Sequence, residues 1–191
     1  MRNKRTLSST LAGCVLVLAV AGAWGQAQSQ SQSQGPVDEF EARVAKYVQL
    51  RKTAPNAESR KTTNSPDKLM EQRDTIKSRV LAGRPNAKQG DIFTPGITSY
   101  FRHQIESTLA GAQGERIRAS LRHAEPVKMK IAVNQTYPGK VPLQSTPPSL
   151  LLNLPPLPKD LEYRIVGRAL VLHDIGANLV VDYIPDILPQ S

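Results

Sequence analysis

"EYRIVGRALVLHDIGANLVVDYI" (residues 162–184) decides the fold. Two short runs, "EYRIV" and "ALVLH", flank Gly167-Arg168, and a glycine in a two-residue loop suits a hairpin turn. "HDIGAN" supplies a second turn, and "LVVDYI" follows before Pro185 ends the run. The stretch therefore predicts a three-stranded antiparallel meander. Alternation puts Leu170 and Leu172 on one face and Val171 and His173 on the other. The same rule sets Leu179, Val181 and Tyr183 against Val180, Asp182 and Ile184. His173, Asp174 and Asp182 invite a catalytic or metal reading. Alternation splits His173 from Asp174, turn chemistry occupies Asp174 with nearby amides, and Asp182 is expected to pair with Arg164 or Arg168 across the sheet.

Upstream, proline punctuates the chain. "VPLQSTPPSLLLNLPPLPKDL" carries Pro142, Pro147, Pro148, Pro155, Pro156 and Pro158, a density that excludes a long helix or a central strand. It predicts an extended strap whose leucines (150, 151, 152, 154 and 157) press into a groove. Before it, "VKMKIAV" (127–133) alternates like a half-buried strand.

The region 37–125 reads as helical. "PVDEFEARVAKYVQLRK" places Val37, Phe40, Val44, Tyr47, Val48 and Arg51 on one stripe, with acids in the first turn and cations in the last. "SPDKLMEQRDTIKSRVLAGRP" begins on an N-cap serine with proline at N1 and shows a face of Leu69, Arg73, Ile76 and Val80. Gly83 suits a left-handed C-cap. "TPGITSYFRHQIESTLAG" repeats the pattern on Ile97, Tyr100, Phe101, Ile105 and Leu109, and "GERIRASLRHAEP" adds a short fourth helix. The fold class is thus α+β. Three to four N-terminal helices, a proline-rich strap and a C-terminal meander (126–188) complete one domain.

The first 25 residues read as a secretory signal peptide. Arg2, Lys4 and Arg5 precede an apolar run, Leu11 to Ala23, that is shorter than the roughly 20 residues of a spanning helix. Cys14 sits in "LAGC", but most of the apolar run follows it, which argues against a lipoprotein. Residues 26–36, "QAQSQSQSQGP", form a low-complexity linker. These features predict export to the periplasm or beyond. Cys14 is the only cysteine, so an exported mature chain has no disulfide.

The stretch "LPPLPKDLEYRIVGRALVLHDIGANLVVDYIPDIL" resembles the C-terminus of uncharacterised small exported proteins of soil bacteria. Its core, from Tyr163 to Ile184, is similar to the terminal β-module of a periplasmic family linked to nickel and cobalt homeostasis. The resemblance implies export and the β-module. The residues themselves imply no metal and no cofactor. His103, His123 and His173 are far apart in sequence, and metal sites need clustered donors. No Gly-x-Ser-x-Gly elbow or phosphate loop occurs, so no catalytic residue is assigned and the chain reads as non-enzymatic.

Charge supplies the functional handle. The net charge is +9. From Arg43 to Lys88 there are 12 Lys/Arg against 4 Asp/Glu, whereas residues 150–191 hold 3 against 5. A basic helical half attracts polyanions. The expected contact residues are Arg43, Lys46, Arg51, Lys52, Arg60, Lys61, Arg73, Lys77 and Arg79. An anionic envelope polymer or membrane surface is the expected partner. Nucleic acid is not, because few aromatics lie between the cations. The rival readings are a periplasmic metal-homeostasis accessory, resting on the resemblance, and an enzyme with an unfamiliar site.

Overall fold

The computed structural model describes residues 35–52, 65–123, 130–137 and 147–188. The signal, most of the linker, "VKM" of the expected 127–133 strand, Arg60, Lys61 and the first part of the strap lie outside the described residues. The described residues form an α+β fold in which helices precede a C-terminal antiparallel sheet.

The sheet comprises β1 (Leu161–Val166), β2 (Ala169–Asp174) and β3 (Leu179–Ile184), in the order β1-β2-β3. Gly167 opens the β1–β2 turn at φ 60°, a conformation that glycine adopts without steric cost. All six residues of β2 are buried, as expected for the central strand of a sheet covered on both faces.

The predicted alternation along β3 breaks at one point. His173 pairs with Val180 but Leu172 pairs with Asp182, so Val181 is an extra residue in a β-bulge. The bulge shifts the rest of the strand by one. Ile184 joins Leu170, Leu172 and Leu179 in the main core, and Tyr183 joins Val171 and Val180 on the opposite face. Asp182 moves with Ile184 to the helical side, away from Arg164 and Arg168.

Helix α1 (Pro36–Lys52) buries Phe40, Val44, Tyr47, Val48 and Arg51, the stripe its sequence predicts. Helix α3 (Pro95–Ala110) buries Ile97, Phe101, Ile105 and Leu109 at the centre of the core. Phe40, Phe93 and Phe101 pack with ring centroids 5.4–5.7 Å apart, and Phe101 meets Tyr163 of β1 at 5.7 Å. Aromatic contacts of this kind contribute beyond simple area burial. They tie α1, the 84–94 loop, α3 and the sheet together.

Helix α2 (Pro66–Gly83) is seated only by its C-terminal half. Val80 is its one buried residue, and Leu69 and Met70 are 50% and 55% exposed. Gly83 remains helical, and Arg84 ends the helix at φ −136°. The predicted left-handed glycine cap is therefore absent; Gly83 instead makes room for Leu50, whose side chain a Cβ there would strike. Helix α4 (Gly114–His123) buries Ile117.

The strap is not extended throughout. Pro148–Leu151 forms a one-turn helix, α5, with proline at its start. Leu150 and Leu154 are buried, Leu151 and Leu157 pack against the core, and Leu152 points outward at 77% exposure. Residues 130–137 form no regular strand, against the sequence expectation. They run beside β3 through a single bridge, Thr136 to Leu179, and through bonds from Asn134 N to Val180 O and from Tyr137 N to Asn178 O. Asn134 adopts φ 64°, which breaks any strand there. This segment lays Tyr137 and Ile131 over the outer face of the sheet.

Candidate functional site

The three polar residues that stand out in the meander are all occupied inside the molecule. Asp174 is fully buried. Its Oδ1 accepts from Ala177 N at 2.8 Å, the expected turn bond. Its Oδ2 accepts from Tyr47 Oη and Arg51 Nε, each at 2.8 Å, which the sequence did not reveal. Arg51 also meets Asp160, Nη1 to Oδ2 at 2.7 Å. Burial, reinforced by the neighbouring Asp174 carboxylate, pushes the Tyr47 hydroxyl well above the usual phenol range.

Asp182 is likewise buried. Its carboxylate accepts from the amides of Gly90, Ile92, Phe93 and Tyr183 at 2.8–3.0 Å. The expected pairing with Arg164 or Arg168 does not occur, because the bulge at Val181 aims Asp182 at the 90–93 loop. Arg168 binds Leu188 O and Asp186 instead, and Arg164 pairs with Glu162. His173 lies on the outer face, with Nδ1 2.8 Å from Glu162 Oε1, Nε2 3.1 Å from Asn178 Oδ1, and the Tyr137 ring at 5.0 Å. Among the described residues, no three His, Cys, Asp or Glu side chains converge as a metal site would require.

The predicted cationic surface divides. Arg51 does not belong to it: only 2% of its side chain is exposed, and Asp160 and Asp174 hold the guanidinium inside. A cation at the end of a helix suits the dipole, so the place of Arg51 on the apolar stripe does not by itself mark it as buried. Arg79 and Lys77 are half-buried and serve internal bonds, Nη1 to Arg51 O and Nζ to Thr136 Oγ1, each 2.7 Å. Lys52 and Arg73 are exposed.

Arg43 and Lys46 lie together in a different setting. They line a cleft of about 350 Å³ between α1 and the residues that follow α2. Tyr47 and Leu50 form part of its wall, and Arg84 and Asp91 complete its polar lining. Arg43 is pinned by Glu39, Nη2 to Oε1 at 2.8 Å, and by Asp91 O, which accepts from Nη1 at 2.7 Å. Arg84 lies over the Tyr47 ring, 5.4 Å from its centroid. Its Nη1 reaches Val181 O at 3.4 Å; its buried Nη2 has no hydrogen-bond acceptor and stands 3.9 Å from Asp91 Oδ2. Lys46 is exposed and forms no ion pair among the described residues. Three cations thus share the cleft with one carboxylate. The sequence missed Arg84. It stands in "AGRP", where glycine and proline signal a helix end and the arginine between them belongs to no periodic pattern.

No family model matches the chain, and neither a curated protein nor a solved structure shows significant similarity to it.

Proposed function

We propose that the protein is a non-enzymatic binding or structural protein of the bacterial envelope, acting after export, that associates with an anionic polymer or membrane surface through its basic helical side. The observation that carries this reading is the cleft in which Arg43, Lys46 and Arg84 face the single carboxylate of Asp91. Lys52 and Arg73 add exposed charge on the same two helices. The non-enzymatic part rests on the state of the buried carboxylates. Asp174 and Asp182 are closed off from solvent and saturated by internal donors, so neither can reach a substrate proton.

Co-sedimentation with lipid vesicles tests the reading. The chain lacking residues 1–25 should pellet with anionic vesicles at low ionic strength and not with neutral ones. Binding should weaken steeply as salt rises, because exposed charges are screened beyond a Debye length. Equal pelleting with neutral and anionic vesicles, or with neither, would sink it.

A further inference from the structure

The cleft itself has the charge and preorganisation to select one kind of anion. We infer that it is a binding site for a phosphate monoester group, an inference that rests on the anion-binding reading above and sharpens it. Three features point to that chemistry. The lining carries three cations; with Asp91 in the lining and Glu39 bonded to Arg43 the local balance is +1, and the three cations match the three acceptor oxygens of a phosphate monoester, where a carboxylate or phosphodiester offers two. The two guanidiniums are held before any ligand arrives, Arg43 by Glu39 and the Asp91 carbonyl, and Arg84 by the Tyr47 ring. Preorganised arginine forks favour phosphate oxygens over a diffuse polyanion. Finally, Arg84 Nη2 is a buried donor without an acceptor. Such a donor is costly when left unmade, and a small inward turn of Arg84 toward a bound oxygen would satisfy it. Lys46, exposed and without an ion pair among the described residues, supplies a third contact. A volume of about 350 Å³ holds a phosphoryl group with part of its ester.

The group can arrive on a soluble ester or on a lipid, and the test separates the two. Inorganic phosphate is titrated into the chain lacking residues 1–25 by calorimetry. The same protein is then sedimented with phosphatidylcholine vesicles carrying phosphatidic acid, a monoester, or phosphatidylglycerol, a diester, at matched surface charge. The expected result is saturable phosphate binding, weakened about tenfold by Lys46→Gln and by Arg84→Gln, with a preference for phosphatidic acid that inorganic phosphate competes away. Lys46 is exposed and Lys46→Gln leaves the fold intact, so the test does not depend on the Arg84 variant remaining folded. Saturable phosphate binding with no vesicle preference also supports the site and assigns it to a soluble ester. Equal recruitment by the two charged lipids, with no phosphate binding and no effect of Lys46→Gln, overturns the site and leaves the general anionic-surface reading standing. Absence of binding to any anion overturns both.

Discussion

At the scale of single residues, the centre of gravity is Arg51. Its position in the apolar stripe of α1 was legible in the sequence, since it continues the spacing of Val44, Tyr47 and Val48. Its burial was not, because a cation at a helix C-terminus has a ready explanation in solvent. The information was in the partners, and those lie more than a hundred residues away. Gly176 belongs to the same arrangement. A Cβ there would stand 2.2 Å from Arg51 Nη2, so this glycine provides room for a guanidinium and not backbone freedom. Removing one member of a buried ion pair strands the other, at a cost of about 3–5 kcal/mol. Arg51→Met should therefore lower the urea midpoint markedly. Gly176→Ala should destabilise the native chain but much less so on the Arg51→Met background. Additive effects of the two changes in that cycle would show that the glycine does not serve the arginine.

Tyr47 and Tyr163 make a second residue-level prediction. Burial raises both hydroxyls far above their ordinary value of 10.0, with Asp174 adding to the effect for Tyr47 and Glu41 for Tyr163. Above pH 10 the unfolded chain releases these protons and the native chain keeps them. Stability is then present in full below that pH and falls as pH rises beyond it, by up to about 1.4 kcal/mol per pH unit for each tyrosine. Melting temperatures between neutral pH and pH 11 should fall less steeply for Tyr47→Phe. Parallel curves for the two proteins would count against this assignment.

At the scale of elements, the helices were the most legible parts. Ser65-Pro66 and Thr94-Pro95 mark the starts of α2 and α3, although neither hydroxyl makes a side-chain cap bond. Proline at N1, with its fixed φ, carries the signal there. Less legible was anything requiring a neighbour. The bulge in β3 left no mark, because both faces of "LVVDYI" carry apolar residues, with Asp182 between them, and the stretch fits either register. The expected strand at 127–133 rested on alternation alone; residues 130–133 form no strand and lead into the left-handed Asn134, and it is residues 134–137 that pair irregularly with β3. In the strap, five leucines looked alike in sequence, and the single turn of α5 sorts them. Leu150→Ala should cost about 2–5 kcal/mol as a core truncation. Leu152→Gln should stay within about 0.5 kcal/mol of the parent. Thermal denaturation of both variants checks the sorting, and a large loss from Leu152→Gln would mean that this leucine is covered in solution.

Taken whole, the molecule separates cohesion from charge. The sheet, α1 and α3 carry the apolar core, while α1 and α2 present Arg43, Lys46, Lys52, Lys68 and Arg73 to solvent. The basic bias of the N-terminal half was visible in composition; the cleft was not, because it is made by Arg84 and Asp91 folding back against Arg43 and Lys46. One feature of the core also sets the order of assembly. Tyr47 and Arg51 are bonded to Asp174, 127 and 123 residues further along the chain. Helix α1 emerges early during synthesis and can seat Phe40 on Phe93 and Phe101, yet Tyr47 and Arg51 lack the Asp174 carboxylate until β2 exists. Closing a loop of that length is entropically slow, and contacts so distant in sequence slow folding far more than they weaken the final state. The buried cluster of Tyr47, Arg51 and Asp174 is therefore the part of the domain that closes last, after the meander has been made.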